Sequence, residues 1–397
     1  MINVDVNLKL NYSVFFSRNL FNFENLLFKK FLDNLNLNPS IKFCVFIDRG
    51  VLNSFPDLFE NILIYFQKNN LPDVVEVPFV FDGGEAIKNS ILFLEKGYDF
   101  LLEKTIDRHS IIIVLGGGAF LDAVGFLAST CHRGIKYIRI PTTVLSQNDA
   151  GIGVKCGVNF KGVKNFIGNF STPIAIFNDS FFLQSLSRRD RIAGISEAMK
   201  VALIKDESFF LWLIENEGLL KSGEDAIFEK LIFECAKIHL DHIQNSGDPF
   251  EKGNSRPLDF GHWLAHKLES MSNFSIRHGE AVAVGIILDL MHSCVRYGLN
   301  FNVLLTTLKF FETIGFNLVI DHLFEKNIIG EYIVLEGLQE FREHLGGELS
   351  ISIVPSLGSF KNISDIDLND YKNYIEILRK NHKDLDEIIN QCQRIRS

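Results

Sequence analysis

The fold is decided by the stretch Ile111-Ile112-Ile113-Val114-Leu115-Gly116-Gly117-Gly118. Its five leading residues are apolar and mostly β-branched, which predicts a short buried strand of a parallel sheet. The three glycines let the backbone turn sharply and approach a ligand closely. Residues 119–129 follow with helical spacing, and the N-terminus of a helix favours an anion through its unpaired N–H groups and its dipole. Because the spacing is not G-x-G-x-x-G, a tight turn that binds nothing stays an alternative.

Short apolar runs of the same kind recur on both sides of this stretch. They predict strands at 42–48, 74–81, 137–140 and 174–179, with helical patterns between the strands. Strands that alternate with helices predict a parallel sheet. Residues 2–16 alternate apolar and polar side chains and predict a further pair of strands.

Strand signals fade after residue 183, and long helical patterns dominate the rest of the chain. We therefore predict an α/β protein with two domains, a Rossmann-like parallel-sheet domain over 1–185 and an all-helical domain over 186–397. The 397 residues, of which 47% are hydrophobic, suffice for two domains with their own cores.

Composition limits the classes of partner and the cellular compartment that we expect. The net charge of −9 argues against a nucleic-acid partner or an acidic membrane surface. The six cysteines form no C-x-x-C pair, which is typical of reduced thiols in a cytosolic protein. The N-terminus does not have the pattern of a signal peptide, and charges interrupt the apolar runs before they reach membrane-spanning length. We expect a cytoplasmic protein without a membrane segment.

Polar residues gather on a glycine-rich loop after the strand at 137–140. Asp149, Lys155, Lys164 and Asn165 are separated there by glycines and other small residues. Parallel α/β sheets place ligands beyond the carboxyl ends of their strands, so this loop is a candidate binding site. A solvated loop with charges is the alternative.

The helical half contains candidate metal ligands. Glu197 lies on an apolar helix, His262 and His266 lie one turn apart, and His278 opens another strongly apolar helix. One carboxylate and two imidazoles make a three-ligand site for a divalent ion with positions open for substrate or water. Histidines with satisfied hydrogen bonds in a core are the alternative.

In this order along the chain, the motifs Gly-Gly-Gly-x3-Asp-x2-Gly-Phe, Arg-Gly, Ile-Pro-Thr-Thr, Asp-x5-Lys and Lys-Asn resemble those of the sugar phosphate cyclases. The best-known member of this family is 3-dehydroquinate synthase. The match extends from about Asp48 to about Gly347. The resemblance implies a carbon–oxygen lyase that uses NAD and one divalent metal ion to convert a phosphorylated ketose into a carbocycle with loss of phosphate. Zinc is favoured for nitrogen and oxygen ligands, and cobalt or iron also fits.

The resemblance also implies roles for individual residues. The metal ligands are Glu197, His262 and His278, where the Glu-x-x-Lys, Gly-His-x-x-x-His and His-Gly-Glu motifs align. Glu280 is expected to orient a ligand histidine. An acid at the end of an early Rossmann-type strand, here Asp48, often accepts a hydrogen bond from the adenosine ribose. The implied NAD-binding residues are Asp48, Glu85, Lys88, Gly116, Gly117, Gly118, Asp122, Thr142 and Thr143.

The remaining implied residues contact the substrate, a small phosphorylated sugar. The catalytic residues are Lys155, Lys200, Asp259 and His266, and the binding residues are Arg133, Asp149, Lys164, Asn165 and Arg256. His266 aligns with a histidine near the substrate phosphate and is expected to relay protons. Arg133 aligns with an arginine that reaches the phosphate of the neighbouring subunit, so a homodimer is expected.

The chain departs from 3-dehydroquinate synthases where these bind the carboxylate and phosphate of their substrate. Residues 239–245 lack the family lysine, Asp259 replaces an asparagine, Arg256 is shifted by one position, and 341–344 replace Asp-Lys-Lys. An aspartate at that position resembles the valiolone-type cyclases, which act on sedoheptulose 7-phosphate. Because a stranded buried carboxylate costs several kcal/mol, we expect a ketose phosphate without a carboxylate. Compensation by Arg256 or by one of two nearby histidines, His239 and His242, is the alternative.

Three other functions are weighed against this one. The first is 3-dehydroquinate synthase proper. The second is an NAD-dependent polyol or glycerol-phosphate dehydrogenase, against which Lys155, the Lys164-Asn165 pair and the Glu197-x-x-Lys200 pair argue. The third is a non-catalytic binding protein, against which the complete set of metal ligands argues.

Overall fold

The computed structural model describes residues 1–6, 9–161, 163–251, 253 and 256–396. By contacts between Cα atoms the chain divides into two compact units, Met1–Leu186 and Ser187–Ser397.

The first unit alternates strands and helices around one parallel sheet. Its strands are β1 (Ser13–Ser17), β2 (Phe43–Asp48), β3 (Phe79–Phe81), β4 (Ile111–Gly116), β5 (Lys136–Pro141), β6 (Lys155–Phe160), β7 (Val163–Phe170) and β8 (Ala175–Asp179). Its helices are α1 (Leu27–Asn34), α2 (Arg49–Ser54), α3 (Leu58–Lys68), α4 (Ile91–Glu103) and α5 (Gly118–Thr130).

Six of these strands form the sheet in the order β1-β8-β5-β4-β2-β3, and every neighbouring pair is parallel. Alternate residues of β4 face different cores: Ile111 and Ile113 pack into one apolar cluster, Ile112 and Val114 into another. A strand covered on both faces needs a continuous apolar sequence, which is why residues 111–115 lack polar alternation. Strands β6 and β7 form a separate antiparallel hairpin.

The predicted pair of strands at 2–16 is wrong. The described part of this segment contains one strand, β1, which pairs in parallel with β8. Val4 and Val6 are 79% and 71% exposed, so their alternation with polar residues has no apolar face to pack against. Residues 7 and 8 of the predicted pair lie outside the described residues.

In the part of the chain that the structure describes, the second unit is helical apart from one small β ribbon. The predicted fold class is confirmed, although this domain was predicted to be all-helical. Its helices are α6 (Arg188–Ala193), α7 (Ile195–Lys205), α8 (Glu207–Glu215), α9 (Glu217–Ser222), α10 (Asp225–Asn245), α11 (His262–Met271), α12 (His278–Tyr297), α13 (Phe301–Ile314), α14 (Glu336–His344), α15 (Leu368–Asn381) and α16 (Leu385–Arg396). A small antiparallel ribbon of β9 (Ile351–Ile353) and β10 (Lys361–Ile363) adds to the helices.

Helix α12 is the centre of this unit. Among the described residues it is the one helix long and apolar enough to cross a membrane, and 89% of its apolar window is buried inside the protein. Helices α7, α11, α13, α15 and α16 all pack against it. The apolar sequence of α12 is therefore explained by its place in the core.

Candidate active site

Three helices of the second unit bring together the predicted metal ligands. Glu197 lies in the first turn of α7, and His262 and His278 are the first residues of α11 and α12. One ligand atom from each residue lies within 4.8 Å of the other two. The Nε2 atoms of His262 and His278 are 3.5 and 3.4 Å from Oε1 of Glu197. These distances are longer than good hydrogen bonds, and they suit three ligands arranged around a common ion.

The outer nitrogens of both histidines are engaged. Nδ1 of His262 lies 3.1 Å from the carbonyl oxygen of Phe260, and Nδ1 of His278 lies 3.1 Å from Oε2 of Glu269. Both partners are acceptors, so each Nδ1 donates a proton to its partner. In a neutral ring the Nε2 lone pair then points at the Glu197 carboxylate, which is unfavourable unless a cation lies between them. The donor set therefore fits a divalent metal ion.

The carboxylate of Glu197 is kept ionised inside the protein. Glu197 is 0% exposed and forms an ion pair with Lys200, which is 1% exposed. Burial alone would raise the pKa of Glu197, but the charge of Lys200 beside it is the main effect that lowers this pKa to about 2. Glu197 is therefore a charged candidate ligand at neutral pH, and Lys200 lies directly beside it.

His266 lies next to this group. Its ring centroid is 5.6 Å from that of His262 and 6.1 Å from that of His278. His266, Glu269 and His278 also have ligand atoms within 4.8 Å of one another. We favour the group with Glu197, because Nδ1 of His278 already binds Glu269 and its Nε2 faces Glu197.

The structure does not give Glu280 the expected role. Its carboxylate accepts hydrogen bonds from Nε and Nη2 of Arg189, both at 2.6 Å, and from the backbone N–H of Arg277 at 2.9 Å. Glu280 therefore caps the N-terminus of α12, and Glu269 orients His278 instead. The sequence contains a signal for Glu269, because it lies seven residues after His262 and so on the same face of α11.

Several predicted NAD-binding residues of the first unit cluster around Lys88, which is 3% exposed. Its Nζ lies 3.0 Å from Oδ2 of Asp122 and 3.9 Å from Oε1 of Glu85, and it donates a hydrogen bond to the side chain of Asn165. Asn159, which was not predicted, donates to Glu85 at 3.3 Å and accepts from the backbone of Asn165 at 2.8 Å. The cluster links the predicted NAD-binding residues to Asn165 of the predicted substrate loop.

The glycine turn and the turn after β5 lie side by side. Gly116 ends β4, and its carbonyl accepts from the N–H of Thr142 at 3.0 Å. A Cβ atom on Gly117 would lie 3.5 Å from Cγ2 of Thr143, and one on Gly118 would lie 2.9 Å from Cβ of Ala150. The absence of a side chain at Gly118 thus lets the start of α5 approach the next loop closely.

Asp48 ends β2 and caps α2 by accepting from the N–H of Gly50 at 2.9 Å. A Cβ atom on Gly83 would lie 1.9 Å from Oδ2 of Asp48, so a side chain there would displace the Asp48 carboxylate. Burial raises the pKa of Asp48, and the backbone N–H groups of Gly50 and Gly83 partly offset this effect. Asp48 therefore lies at the strand end where its role was predicted.

The other residues predicted to contact substrate lie in both units. In the first unit, Asp149 lies in the turn Ser146–Ala150, Lys155 begins β6, Lys164 and Asn165 lie in β7, and Arg133 lies in an exposed turn after α5. In the second unit, Nε of Arg256 and Oδ2 of Asp259 are 2.6 Å apart. The charge of Arg256 is thus matched by the aspartate that the sequence has in place of an asparagine.

The two histidines considered as replacements for the missing lysine lie on α10. Nδ1 of His239 is 3.9 Å from Sγ of Cys235, and Nε2 of His242 is 3.4 Å from Oε1 of Glu251. Both side chains are buried, at 2% and 7% exposure. A carboxylate beside His242 makes that histidine a poor partner for a substrate carboxylate.

Two family models and a curated relative identify the same family for this chain. The model described as 3-dehydroquinate synthase N-terminal matches residues 78–193, and the one described as 3-dehydroquinate synthase C-terminal matches 194–331. The 3-dehydroquinate synthase of Clostridium tetani is 35% identical over 320 residues, which are 79% of this chain and 80% of that protein.

Solved structures share the fold along nearly the whole chain. 2-epi-5-epi-valiolone synthase from Streptomyces hygroscopicus subsp. jinggangensis 5008, with NAD⁺ and Zn²⁺ bound, has a TM-score of 0.80 at 22% identity and covers 99% of this chain and 100% of its own. 2-deoxy-scyllo-inosose synthase, complexed with carbaglucose-6-phosphate, NAD⁺ and Co²⁺, has a TM-score of 0.71 at 20% identity. The match covers 92% of this chain and 96% of that chain. The fold is that of the sugar phosphate cyclases. The chain belongs to the 3-dehydroquinate synthase family, as its motifs indicated.

Proposed function

We propose that the protein is an NAD- and divalent-metal-dependent sugar phosphate cyclase, a carbon–oxygen lyase that turns a phosphorylated ketose into a carbocycle with loss of phosphate. The observation that carries the proposal is the pair of Nε2 atoms, 3.5 and 3.4 Å from the buried Glu197 carboxylate. Glu197, His262 and His278 would hold the ion, with zinc favoured and cobalt or iron also suitable. The bound Zn²⁺ and Co²⁺ of the structural relatives support this assignment.

The first unit would bind NAD, as the NAD⁺ of both structural relatives suggests. Gly116, Gly117 and Gly118 would admit the pyrophosphate to the N-terminus of α5. Asp48 would accept from a ribose hydroxyl. Lys88 would keep Glu85 and Asp122 in place through its two ion pairs.

When bound, NAD supplies reversible hydride transfer and the metal ion polarises a substrate oxygen. The chain itself would bind, orient and exchange protons. Lys155, Lys164 and Asn165 would bind hydroxyls and phosphate through charged or amide groups. Lys200 would hold Glu197 ionised while offering its own N–H donors, and His266 would relay protons beside the metal ligands.

The substrate is proposed to lack a carboxylate and to resemble sedoheptulose 7-phosphate. Asp259 lies 2.6 Å from Arg256 and matches its charge, and Glu251 lies 3.4 Å from His242. Two of the three groups considered as partners for a substrate carboxylate, Arg256 and His242, are therefore adjacent to carboxylates of the protein. A buried, unmatched carboxylate would cost several kcal/mol.

A second candidate is 3-dehydroquinate synthase itself, favoured by the 35% identity to the Clostridium tetani enzyme. A substrate panel separates the two. Protein loaded with Zn²⁺ and NAD⁺ is offered sedoheptulose 7-phosphate, other ketose phosphates and the seven-carbon keto-acid phosphate of 3-dehydroquinate synthase. Inorganic phosphate is followed. We expect release from a neutral ketose phosphate, and efficient turnover of the keto-acid alone would establish the second candidate.

The variant Asp259→Asn gives the panel a matched control. The substitution removes the negative charge beside Arg256 at nearly the same shape, so keto-acid turnover should rise relative to turnover of the neutral ketose. NADH that accumulates without phosphate release would instead identify a dehydrogenase.

We further propose a cytoplasmic homodimer in which Arg133 reaches the phosphate site of the neighbouring subunit. The hairpin β6–β7 supports a second copy as partner, because Phe160 and Phe166 stack at 5.8 Å and are 40% and 64% exposed. An exposed aromatic pair of this kind is typical of an interaction surface. Light scattering of the wild type and of Phe166→Ser tests this: a dimer should become a monomer.

A further inference from the structure

We infer that Asp289 is a positioning residue that holds the metal ligands His262 and His278 in one fixed arrangement without touching the ion. The inference rests on the proposed metal site. Asp289 lies on α12 and is 0% exposed. None of the sequence motifs above includes Asp289, and the proposed chemistry does not use it.

Asp289 binds the residues on both sides of His262. The backbone N–H of Gly261 donates to Oδ2 of Asp289 at 2.9 Å, and the indole N–H of Trp263 donates to Oδ1 at 3.0 Å. One carboxylate thus holds the chain immediately before and after the first ligand histidine. The position of the His262 ring depends on both contacts, because His262 begins α11 at this point.

The same carboxylate links His262 to the other ligand histidine. His278 is the first residue of α12, and Asp289 lies on the same helix about three turns further on. Helices are stiff over this length, so whatever is fixed to Asp289 is fixed relative to His278. The hydrogen bonds of Asp289 therefore set the spacing between the starts of α11 and α12.

Two glycines make this contact close. Gly261 has a left-handed backbone (φ 78°), and a Cβ atom there would lie 2.8 Å from the backbone nitrogen of Ile286. A Cβ atom on Gly285 would lie 2.0 Å from the carbonyl oxygen of Gly261. The backbone before His262 thus rests directly on α12 one turn before Asp289, and no side chain separates the two segments.

A third donor completes the set of hydrogen bonds to Asp289. The hydroxyl of Tyr371 on α15 donates to Oδ1 at 2.8 Å. The neighbouring Asp370 is held by Nε and Nη2 of Arg296, at 2.6 and 2.5 Å. Tyr371 contacts the same carboxylate, and its ring packs edge-on against that of Trp263, with the centroids 5.2 Å apart. Tyr371→Phe removes only the hydroxyl and keeps this ring contact, which makes it a matched control.

The arrangement requires a carboxylate. Gly261, Trp263 and Tyr371 all direct donors at Asp289, and only an ionised carboxylate accepts on both oxygens. An asparagine would point its NH₂ group at the N–H of either Gly261 or Trp263, so one contact would be lost whichever way the amide is turned. Burial raises the pKa of Asp289 to about 6, partly offset by these donors.

The experiment measures metal binding rather than catalysis. Apo-protein of the wild type, Asp289→Asn, Trp263→Phe and Tyr371→Phe is titrated with Zn²⁺ against a chelating indicator, and the Co²⁺ forms are compared by their visible d–d spectra. Loss of a group that supports metal ligands typically weakens metal binding about 10- to 100-fold. We expect a loss of this size and a changed Co²⁺ spectrum for Asp289→Asn, and a smaller loss for Trp263→Phe. Tyr371→Phe should stay within about twofold of the wild type.

Each outcome decides one point. Wild-type affinity and spectrum in both Asp289→Asn and Trp263→Phe overturn the inference and leave the metal site standing. An equal loss in Tyr371→Phe also overturns it, because the effect would then follow general destabilisation of the core. If Asp289→Asn does not fold, comparison of Trp263→Phe with Tyr371→Phe decides between a positioning role and general destabilisation of the core. A wild-type protein that binds no Zn²⁺ overturns the proposed metal site together with this inference.

Discussion

The imidazole of His278 donates from Nδ1 to the carboxylate of Glu269, at a distance of 3.1 Å to Oε2. Glu269 is 4% exposed, so little water competes for this bond. A carboxylate on the outer nitrogen fixes the tautomer and makes Nε2 a better metal ligand. Glu269 therefore supplies at His278 what a backbone carbonyl supplies at His262.

The first prediction concerns this pair. Glu269→Ala should lower Zn²⁺ affinity about 10- to 100-fold, and Glu269→Gln should lose less because its amide oxygen still accepts from Nδ1. His262→Ala, which removes a proposed metal ligand, serves as the reference for complete loss of Zn²⁺ binding. Dialysis against a chelator followed by metal analysis measures the series.

The control for this series is Glu280→Ala. Glu280 caps α12 and binds Arg189 but makes no contact with the His278 ring among the described hydrogen bonds. Its loss should lower the free energy of unfolding by about 1 kcal/mol. The Zn²⁺ affinity should stay within about twofold of the wild type. Weaker metal binding in Glu280→Ala than in Glu269→Ala would contradict the assignment.

The second prediction concerns the choice of dinucleotide. An acid at the end of β2 repels a 2′-phosphate, so NAD⁺ should bind at least about tenfold more tightly than NADP⁺, or about 1.4 kcal/mol. Asp48→Asn keeps an acceptor for the N–H of Gly50 but removes the charge, so the difference in affinity between NAD⁺ and NADP⁺ should become smaller. Calorimetry with both dinucleotides measures this difference.

Asp82 offers a matched control for Asp48. Its carboxylate lies on the surface, 2.6 Å from Nε of Arg49. Asp82→Asn should leave the preference for NAD⁺ unchanged. Tighter binding of NADP⁺ to the wild type would refute the role given to Asp48.

The sequence predicted the sheet well because its signals are local. The run at 111–115 and the glycines after it define β4 and the start of α5 within one short stretch. The three candidate metal ligands could be selected from the sequence because Glu197, His262 and His278 each lie in a short motif that resembles the family. The structure then brings these three motifs together.

The residues that support the site were harder to predict, because their partners are distant in sequence. Asp289 meets Gly261 and Trp263 only once α11 and α12 have packed together. The expected partner of the ligand histidine was Glu280, which is adjacent in sequence but points to Arg189. One signal was available: Arg139 stands between Ile138 and Ile140 in a buried strand, where a charged residue needs a structural reason.

The third prediction concerns Arg139, which is 0% exposed. Its guanidinium donates to the carbonyl oxygens of Gly151, Gly153 and Lys155 at 3.2, 2.7 and 3.2 Å, so it holds the loop that leads to Lys155. Arg139→Met leaves these acceptors without their donor, each at a cost of about 1–3 kcal/mol when buried. Urea unfolding should show a loss of about 3 kcal/mol or more, and proteases should cleave near residues 151–155 sooner.

Two further variants test the geometry of this contact. Arg139→Lys keeps the charge but cannot reach three carbonyls with a planar fork, so it should restore only part of the stability. Tyr12→Phe removes one hydrogen bond to the carbonyl of Ile152 in the same loop and should cost about 1 kcal/mol. If Arg139→Met is as stable as Tyr12→Phe, the guanidinium does not hold the loop.

The last prediction concerns pH and rests on His292, which is 2% exposed on α12. Burial lowers the pKa of His292 to about 4, although Asp370 opposes this effect and Arg296 adds to it. An unfolded chain has a histidine pKa of about 6.5 and therefore binds a proton that the native state excludes. Stability is thus lost as the pH falls from about 6.5 towards 4, by about 2 kcal/mol at pH 5.

Urea unfolding of metal-free wild type and His292→Gln at pH 7.5 and pH 5 measures this contribution. The stability of the wild type relative to the variant should fall by about 2 kcal/mol between these two pH values, and a difference that does not change with pH would show that His292 is not held neutral.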